Sequence, residues 1–248
     1  MQFSAGTGCP VWNSDRAVTT IAAPTLPHNY GTLILMNMKQ LAILVGLALA
    51  GSVAVAQEPA TAGVAERGAT LADTCMGCHG IDGYRNAYPS YRVPKLGGQH
   101  ADYIVLALQG YKNQTRPHKT MHAQAVTLSE QDMRDIAAFF ASEGDIRKAS
   151  SPAGTAPAKA ATCVACHGEG GVSVAPNWPS LAGQHRDYLE HALNEYKAGL
   201  RKDPVMGGQV MALTPADISE LAAYFAAQSG LFSVHYAIGA PVTADARK

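Results

Sequence analysis

Two pentapeptides constrain this 248-residue chain more than anything else in it: Cys75-Met76-Gly77-Cys78-His79 and Cys163-Val164-Ala165-Cys166-His167. Each is a C-x-x-C-H run. Two thiols about one helical turn apart can each add to a vinyl group of the same porphyrin, and the histidine that follows is then held under the iron as its proximal ligand. The chain is therefore expected to carry two covalently bound haem c groups. Cys75, Cys78, Cys163 and Cys166 would attach them, and His79 and His167 would ligate the irons.

The chain also repeats itself. Lys95-Leu96-Gly97-Gly98-Gln99-His100-Ala101-Asp102-Tyr103 recurs as Ser180-Leu181-Ala182-Gly183-Gln184-His185-Arg186-Asp187-Tyr188, 85 positions later. The same offset relates Tyr111-Lys112 to Tyr196-Lys197, and Ile136-Ala137-Ala138-Phe139-Phe140 to Leu221-Ala222-Ala223-Tyr224-Phe225. The cysteines are 88 positions apart, so the first copy holds three extra residues before Pro94; the turn-rich stretch Gly83 to Tyr91 is the place expected for them. In each copy a helix leads into the haem motif, from about Val64 and from about Pro157. A second helix starts near His100 or His185, with apolar spacing at Tyr103, Leu106, Ala107, Gly110 and Tyr111. The last helix opens on Ser129-Glu130-Gln131-Asp132 or Thr214-Pro215-Ala216-Asp217, a variant of the capping box with Pro215 at the first helical position. No segment alternates convincingly with period two. The fold class expected is all-α: two tandem domains, each wrapped around a covalent haem c. Such small domains have thin cores, so the haem is the main apolar filling and the haem-free chain is expected to be unfolded.

Met38-Lys39-Gln40, the apolar run Leu41 to Ala50 and the A-x-A site Ala54-Val55-Ala56 read as a secretory signal peptide. Residues 1–37 precede it and read as an upstream extension from an early start, with Met36 or Met38 the true one and Cys9 absent from the working protein. The organisation that follows is 38–56 signal peptide, 57–143 first domain, 144–157 linker rich in Ala, Ser, Gly and Pro, 158–229 second domain and 230–248 tail. Export places the protein in the periplasm. Nineteen basic residues balance 19 acidic ones, with neither a basic stripe for nucleic acid nor a polybasic membrane patch.

The iron's other face decides whether such a site moves electrons or binds small ligands. Met121 and Met206 each lie seven residues before the leucine of Leu128-Ser129 or Leu213-Thr214, and they match at the repeat offset. A thioether is a soft neutral ligand that favours ferrous iron. His118 and His122 flank Met121 and are stronger ligands, but the second copy has no histidine between His191 and His235, which favours methionine in both. Met211 competes with Met206. On the proximal side, the carbonyls of Pro94 and Pro179 are placed to accept the Nδ1–H of His79 and His167. The matched His100 and His185 stand at helix starts, where capping or contact with a propionate are the roles open to them. Tyr111-Lys112 and Tyr196-Lys197 read equally as packing or as propionate contacts.

These residues resemble the dihaem cytochrome c4 family: C-x-x-C-H, P-x-L-x-G-Q-H or its counterpart, and a methionine before L-[ST], all twice, over about residues 64–228. The resemblance implies periplasmic electron carriers, soluble or loosely membrane-associated. It implies His/Met-ligated haems in two tandem class I cytochrome c domains related by a pseudo-twofold, with the propionates near the interface. By resemblance, Cys75, Cys78, His79 and Met121 bind one haem and Cys163, Cys166, His167 and Met206 the other. Electrons would come from a quinol–cytochrome c reductase or a dehydrogenase and go to a terminal oxidase. The tail from Gly230 onward extends past the last family helix. An electron carrier with no substrate chemistry is the function expected. The alternatives are the cytochrome subunit of a larger dehydrogenase or reductase complex, or a dihaem enzyme such as a peroxidase or a thiosulfate-oxidising dehydrogenase.

Overall fold

The computed structural model describes residues 61–146 and 152–235. The upstream extension, the signal peptide, Cys9, the middle of the linker and the tail beyond 235 lie outside the described residues. The first copy contains α1 (Ala65–Leu71), α2 (Asp73–His79), α3 (Ala101–Lys112), α4 (Lys119–Ala125) and α5 (Glu130–Ser142). The second contains α6 (Ala160–His167), α7 (Arg186–Lys197), α8 (Pro204–Val210) and α9 (Pro215–Ala226). Among the described residues the only extended pairings are the isolated bridges Arg85–Arg92 and Gly97–Phe232. The architecture is all-α, as expected. No helix among the described residues is long and apolar enough to cross a membrane.

Helix α5 begins where Ser129 accepts from Asp132 N and the Asp132 carboxylate accepts from Ser129 N, a reciprocal cap. Its buried positions Met133, Ile136, Ala137 and Phe140 form one stripe with helical spacing. Thr214 and Asp217 cap α9 in the same way, with Pro215 in the first turn, and Ile218, Leu221, Ala222 and Phe225 make the matching stripe. Helices α1 and α3 pack on α5, and α7 packs on α8 and α9. On α1, Gly68 is so close to α5 that a Cβ there would sit 1.9 Å from Asp135 O. Asp135 itself is fully buried. It accepts from Val64 N at 2.8 Å, from Gln131 Nε2 at 2.8 Å and from Arg67.

The face expected for α3 needs correction. Leu106 is half exposed, and the buried positions are Ile104, Leu108 and Tyr111. The stripe is therefore rotated from the one read in the sequence: Tyr103, Ile104, Ala107, Leu108 and Tyr111 together face the cleft described below, and Leu106 is turned away from it.

The two copies lock together through their repeated Gly-Gln pairs. Gln99 Oε1 accepts from Ser180 N and its Nε2 donates to Ser180 O, both at 3.0 Å. Gln184 does the same to Lys95, with 2.9 Å to the nitrogen and 3.0 Å to the oxygen. Gly98 and Gly183, at φ 78° and 73°, make the left-handed turn that aims each glutamine. The Gly83–Tyr91 stretch adds a one-sided contact: Tyr91 is buried with its ring stacked on His191 at 4.1 Å, and Asp187 pairs with Arg85 and Arg92.

The linker and the tail are both docked at their described ends. Ile146, at the linker's start, is buried, and Ala153 exchanges both main-chain bonds with Gln228. The tail's first residues return to the first copy. Phe232 lies against Gly97 and Gly144, and Val234 joins the core that holds Met76, Phe139 and Phe140.

Candidate haem-binding sites

Each copy carries an apolar cleft, the roomier one in the first copy. Helix α2 sets Cys75, Cys78 and His79 on the wall of the first cleft, and α4 brings Met121 to the same cleft. Helix α6 sets Cys163, Cys166 and His167 on the second, where α8 brings Met206. Burial pushes the Cys75 and Cys163 thiols up from their ordinary range, so both are protonated in the unmodified chain near neutral pH.

The proximal geometry is the same in both copies. His79 Nδ1 lies 2.8 Å from Pro94 O, and His167 Nδ1 lies 2.8 Å from Pro179 O. With Nδ1–H donating to the carbonyl, Nε2 carries the free lone pair, which is the tautomer a metal needs. Burial lowers the pKa of both imidazoles, against the opposing pull of the carbonyl. The rings are therefore neutral and ready to ligate without losing a proton.

The competitors for the distal face are placed elsewhere. Met211 is 64% exposed and lies outside the cleft. His122 turns its Nδ1 to Tyr111 O at 2.9 Å. His118 borders the first cleft but caps α4, its Nδ1 accepting from Met121 N at 3.1 Å. Its counterpart at the repeat offset is Asp203, which caps α8 by accepting from Val205 N and Met206 N. A histidine in one copy and an aspartate in the other thus serve one end: fixing the turn that carries the methionine. His100 and His185 stand at the N-cap positions of α3 and α7 without capping through their side chains. His100 Nε2 instead meets Ser173 O at 2.8 Å across the interface. Lys112 and Lys197 tie down the carbonyls of Leu128 and Leu213, just ahead of the capped helices.

Tyr103 and Tyr188 line both clefts. Beside them lie two residues that sequence reasoning passed over, Arg116 and Arg201, although they too match at the repeat offset. Arg116 borders the first cleft and Arg201 the second, and both are more than nine-tenths buried. Arg116 donates to Tyr103 Oη at 2.7 Å and lies over the Tyr103 and Tyr111 rings. Arg201 lies over Tyr188 and Tyr196, with Glu195 at 3.5 Å. The Nε of Arg116 makes no hydrogen bond, and that of Arg201 faces only the Glu195 carboxylate at 3.5 Å. For Arg116 a buried cation with an orphaned donor calls for an anion, and a haem brings two carboxylates. The apolar walls, the paired thiols, the oriented imidazoles and these guanidiniums all fit the group.

Comparison with known proteins agrees. A family model described as cytochrome c matches residues 65–143 and again 153–229. The chain is 31% identical to cytochrome c4 of Pseudomonas aeruginosa over 205 residues, covering 76% of this chain and 98% of that one. It is 32% identical to a thiosulfate dehydrogenase electron acceptor of Stutzerimonas stutzeri, covering 61% of this chain and 77% of the relative. Among solved structures, reduced recombinant cytochrome c4 from Pseudomonas stutzeri superposes with a TM-score of 0.54 at 30% identity, over 69% of this chain and all of that one.

Proposed function

Because the chain belongs to the cytochrome c family, as a dihaem member of the cytochrome c4 group with two covalently bound haem c groups, we propose that it is a periplasmic electron carrier whose irons are each closed by histidine and methionine. His79 and Met121 would hold one iron, and His167 and Met206 the other. The observation that carries this reading is the matched placement of a neutral, Nδ1-anchored histidine and a methionine on one cleft, twice. Each bound haem supplies a one-electron ferric/ferrous couple. The chain's part is to hold that couple in a dry, rigid shell. Apolar helix faces exclude water, Pro94 and Pro179 fix the ring planes, the capped turns of α4 and α8 hold the methionines, and Arg116 and Arg201 offer positive charge to the propionates. Closure on both faces would leave no vacancy for substrate, as a carrier rather than an enzyme requires. His118, the residue best placed for acid–base work on a peroxide, is engaged as a helix cap.

The donor in this reading is a quinol–cytochrome c reductase or a dehydrogenase, and the acceptor a terminal oxidase of the respiratory chain. A second reading has a specific observation behind it. The relative from Stutzerimonas stutzeri is named for accepting electrons from thiosulfate dehydrogenase, so a dedicated dehydrogenase is the alternative donor. The test is an optical redox titration of the purified holoprotein with carbon monoxide added to the reduced form. Two low-spin haems, the long-wavelength band of methionine–ferric ligation and no carbon monoxide adduct are expected. Rapid adduct formation at either haem would refute the closed-iron carrier. Stable co-purification with one dehydrogenase would favour the second reading, in which the chain is that enzyme's dedicated electron-accepting subunit.

A further inference from the structure

We propose that Gln99 and Gln184 are cross-domain positioning residues, each setting the donor strength of the proximal histidine in the other copy. The inference rests on the reading of His79 and His167 as axial ligands. The Pro94 carbonyl that holds His79 and the Lys95 N–H belong to one peptide group. His79 Nδ1 meets that group's oxygen at 2.8 Å, and the group's N–H donates to Gln184 Oε1 at 2.9 Å. The other side mirrors it: His167 Nδ1 meets Pro179 O at 2.8 Å, and Ser180 N of the same peptide group donates to Gln99 Oε1 at 3.0 Å. Each histidine is thus the head of a hydrogen-bond chain that passes through one peptide group and ends on a side chain of the other copy.

The glutamines are held as fixed elements of these chains. Gln99 is 4% and Gln184 5% exposed. Their Nε2 atoms donate to Ser180 O and Lys95 O at 3.0 Å. Their Oε1 atoms also accept from the following residues, His100 N and His185 N, at 3.0 Å. With both ends of the amide satisfied, its orientation is determined. A peptide whose N–H is engaged is a stronger acceptor at its carbonyl, because consecutive hydrogen bonds polarise one another. A stronger acceptor draws on the imidazole Nδ1–H, raises the basicity of Nε2 and favours ferric iron. The wiring is crossed: Gln184 acts on the haem of the first copy, and Gln99 on that of the second. Docking of the two copies therefore enters the potential of each iron.

The test uses the holoprotein with Gln184→Met and Gln99→Met, side chains of similar length that cannot hydrogen-bond. Potentials are read by redox titration followed through haem-methyl NMR signals, assigned to each copy by contacts with its own pocket. Q184M raises the potential of the first-copy haem and leaves the second unmoved; Q99M does the reverse. Gln184→Glu keeps an acceptor of greater strength and lowers the first-copy potential more than the second, so it carries the test if Q184M does not fold. Unmoved potentials, equal shifts at both haems, or a larger shift in the substituted copy would overturn the proposal and leave the glutamines as interface packing. Failure of the axial-ligand reading is distinct: it shows in the unsubstituted protein as missing low-spin His/Met bands.

Discussion

Asp135 is the residue whose removal is most informative about stability. Burial pushes its carboxyl up, but Val64 N–H, Arg67 and Gln131 together outweigh burial and hold its pKa below the usual carboxylate range. Asp135→Ala leaves Val64 N–H without its acceptor and takes from Gln131 Nε2 the shorter of its two hydrogen bonds. Since Arg67 is half exposed and regains water, the expected loss is about 1–3 kcal/mol rather than that of a stranded buried charge; denaturant unfolding of the holoprotein measures it. At the repeat offset Asp135 is matched by Glu220, but among the described residues the second copy has no helix corresponding to α1 for that carboxylate to tie down. The methionines are the opposite case. Their register against Leu128 and Leu213 was legible, and the structure separates Met206 from Met211 by burial alone. Met206→Ala is expected to abolish half of the long-wavelength methionine–ferric band, and Met211→Ala to leave it intact.

At the scale of elements, the two capped helices were readable from four residues each, because a capping box is a local hydrogen-bond motif independent of tertiary context. Asp132 is held down to about 2 by Ser129 Oγ, by Ser129 N–H and by Arg67. A carboxyl depressed in the folded state stabilises above its unfolded pKa near 3.8 and loses that contribution as pH falls toward 2. Ser129→Ala is expected to cost about 1 kcal/mol at neutral pH. The difference from the parent protein should shrink as pH drops through that window in acid-unfolding curves followed by circular dichroism. The face of α3 was not readable in the same way. Its tyrosines and alanines are apolar enough to join a helix-packing stripe, and only the cleft beside them shows that they face a cofactor space instead.

At the scale of the whole molecule, the two copies are held by reciprocal glutamine bonds, by the Tyr91–His191 stack and by the segment 231–235, which runs from the end of α9 onto the first copy. Removing residues 232–248, while keeping Leu231 on Ala182 of the second copy, takes Phe232 off Gly97 and Gly144 and Val234 out of the first core. The first copy should then unfold at lower denaturant than the second, splitting one transition into two. Phe232→Ala alone should cost about 2–3 kcal/mol, below the range for a fully enclosed aromatic because its ring is partly exposed. Haem removal acts on both copies at once. Each core packs along the wall of its cleft, so chain without haem is expected to lose most of its helical circular dichroism signal. Retention of a folded spectrum would show that the helix–helix seams suffice alone.

The haem count, the attachment residues and the doubled helical plan were contained in the sequence, because each depends on contacts spanning a few residues or on a repeat that can be aligned by eye. The aim of the two glutamines and the return of the tail to the first copy were decided by tertiary structure. They depend on residues some 80 to 140 positions apart meeting across an interface, and no local spacing encodes which side chain another copy's peptide group will find.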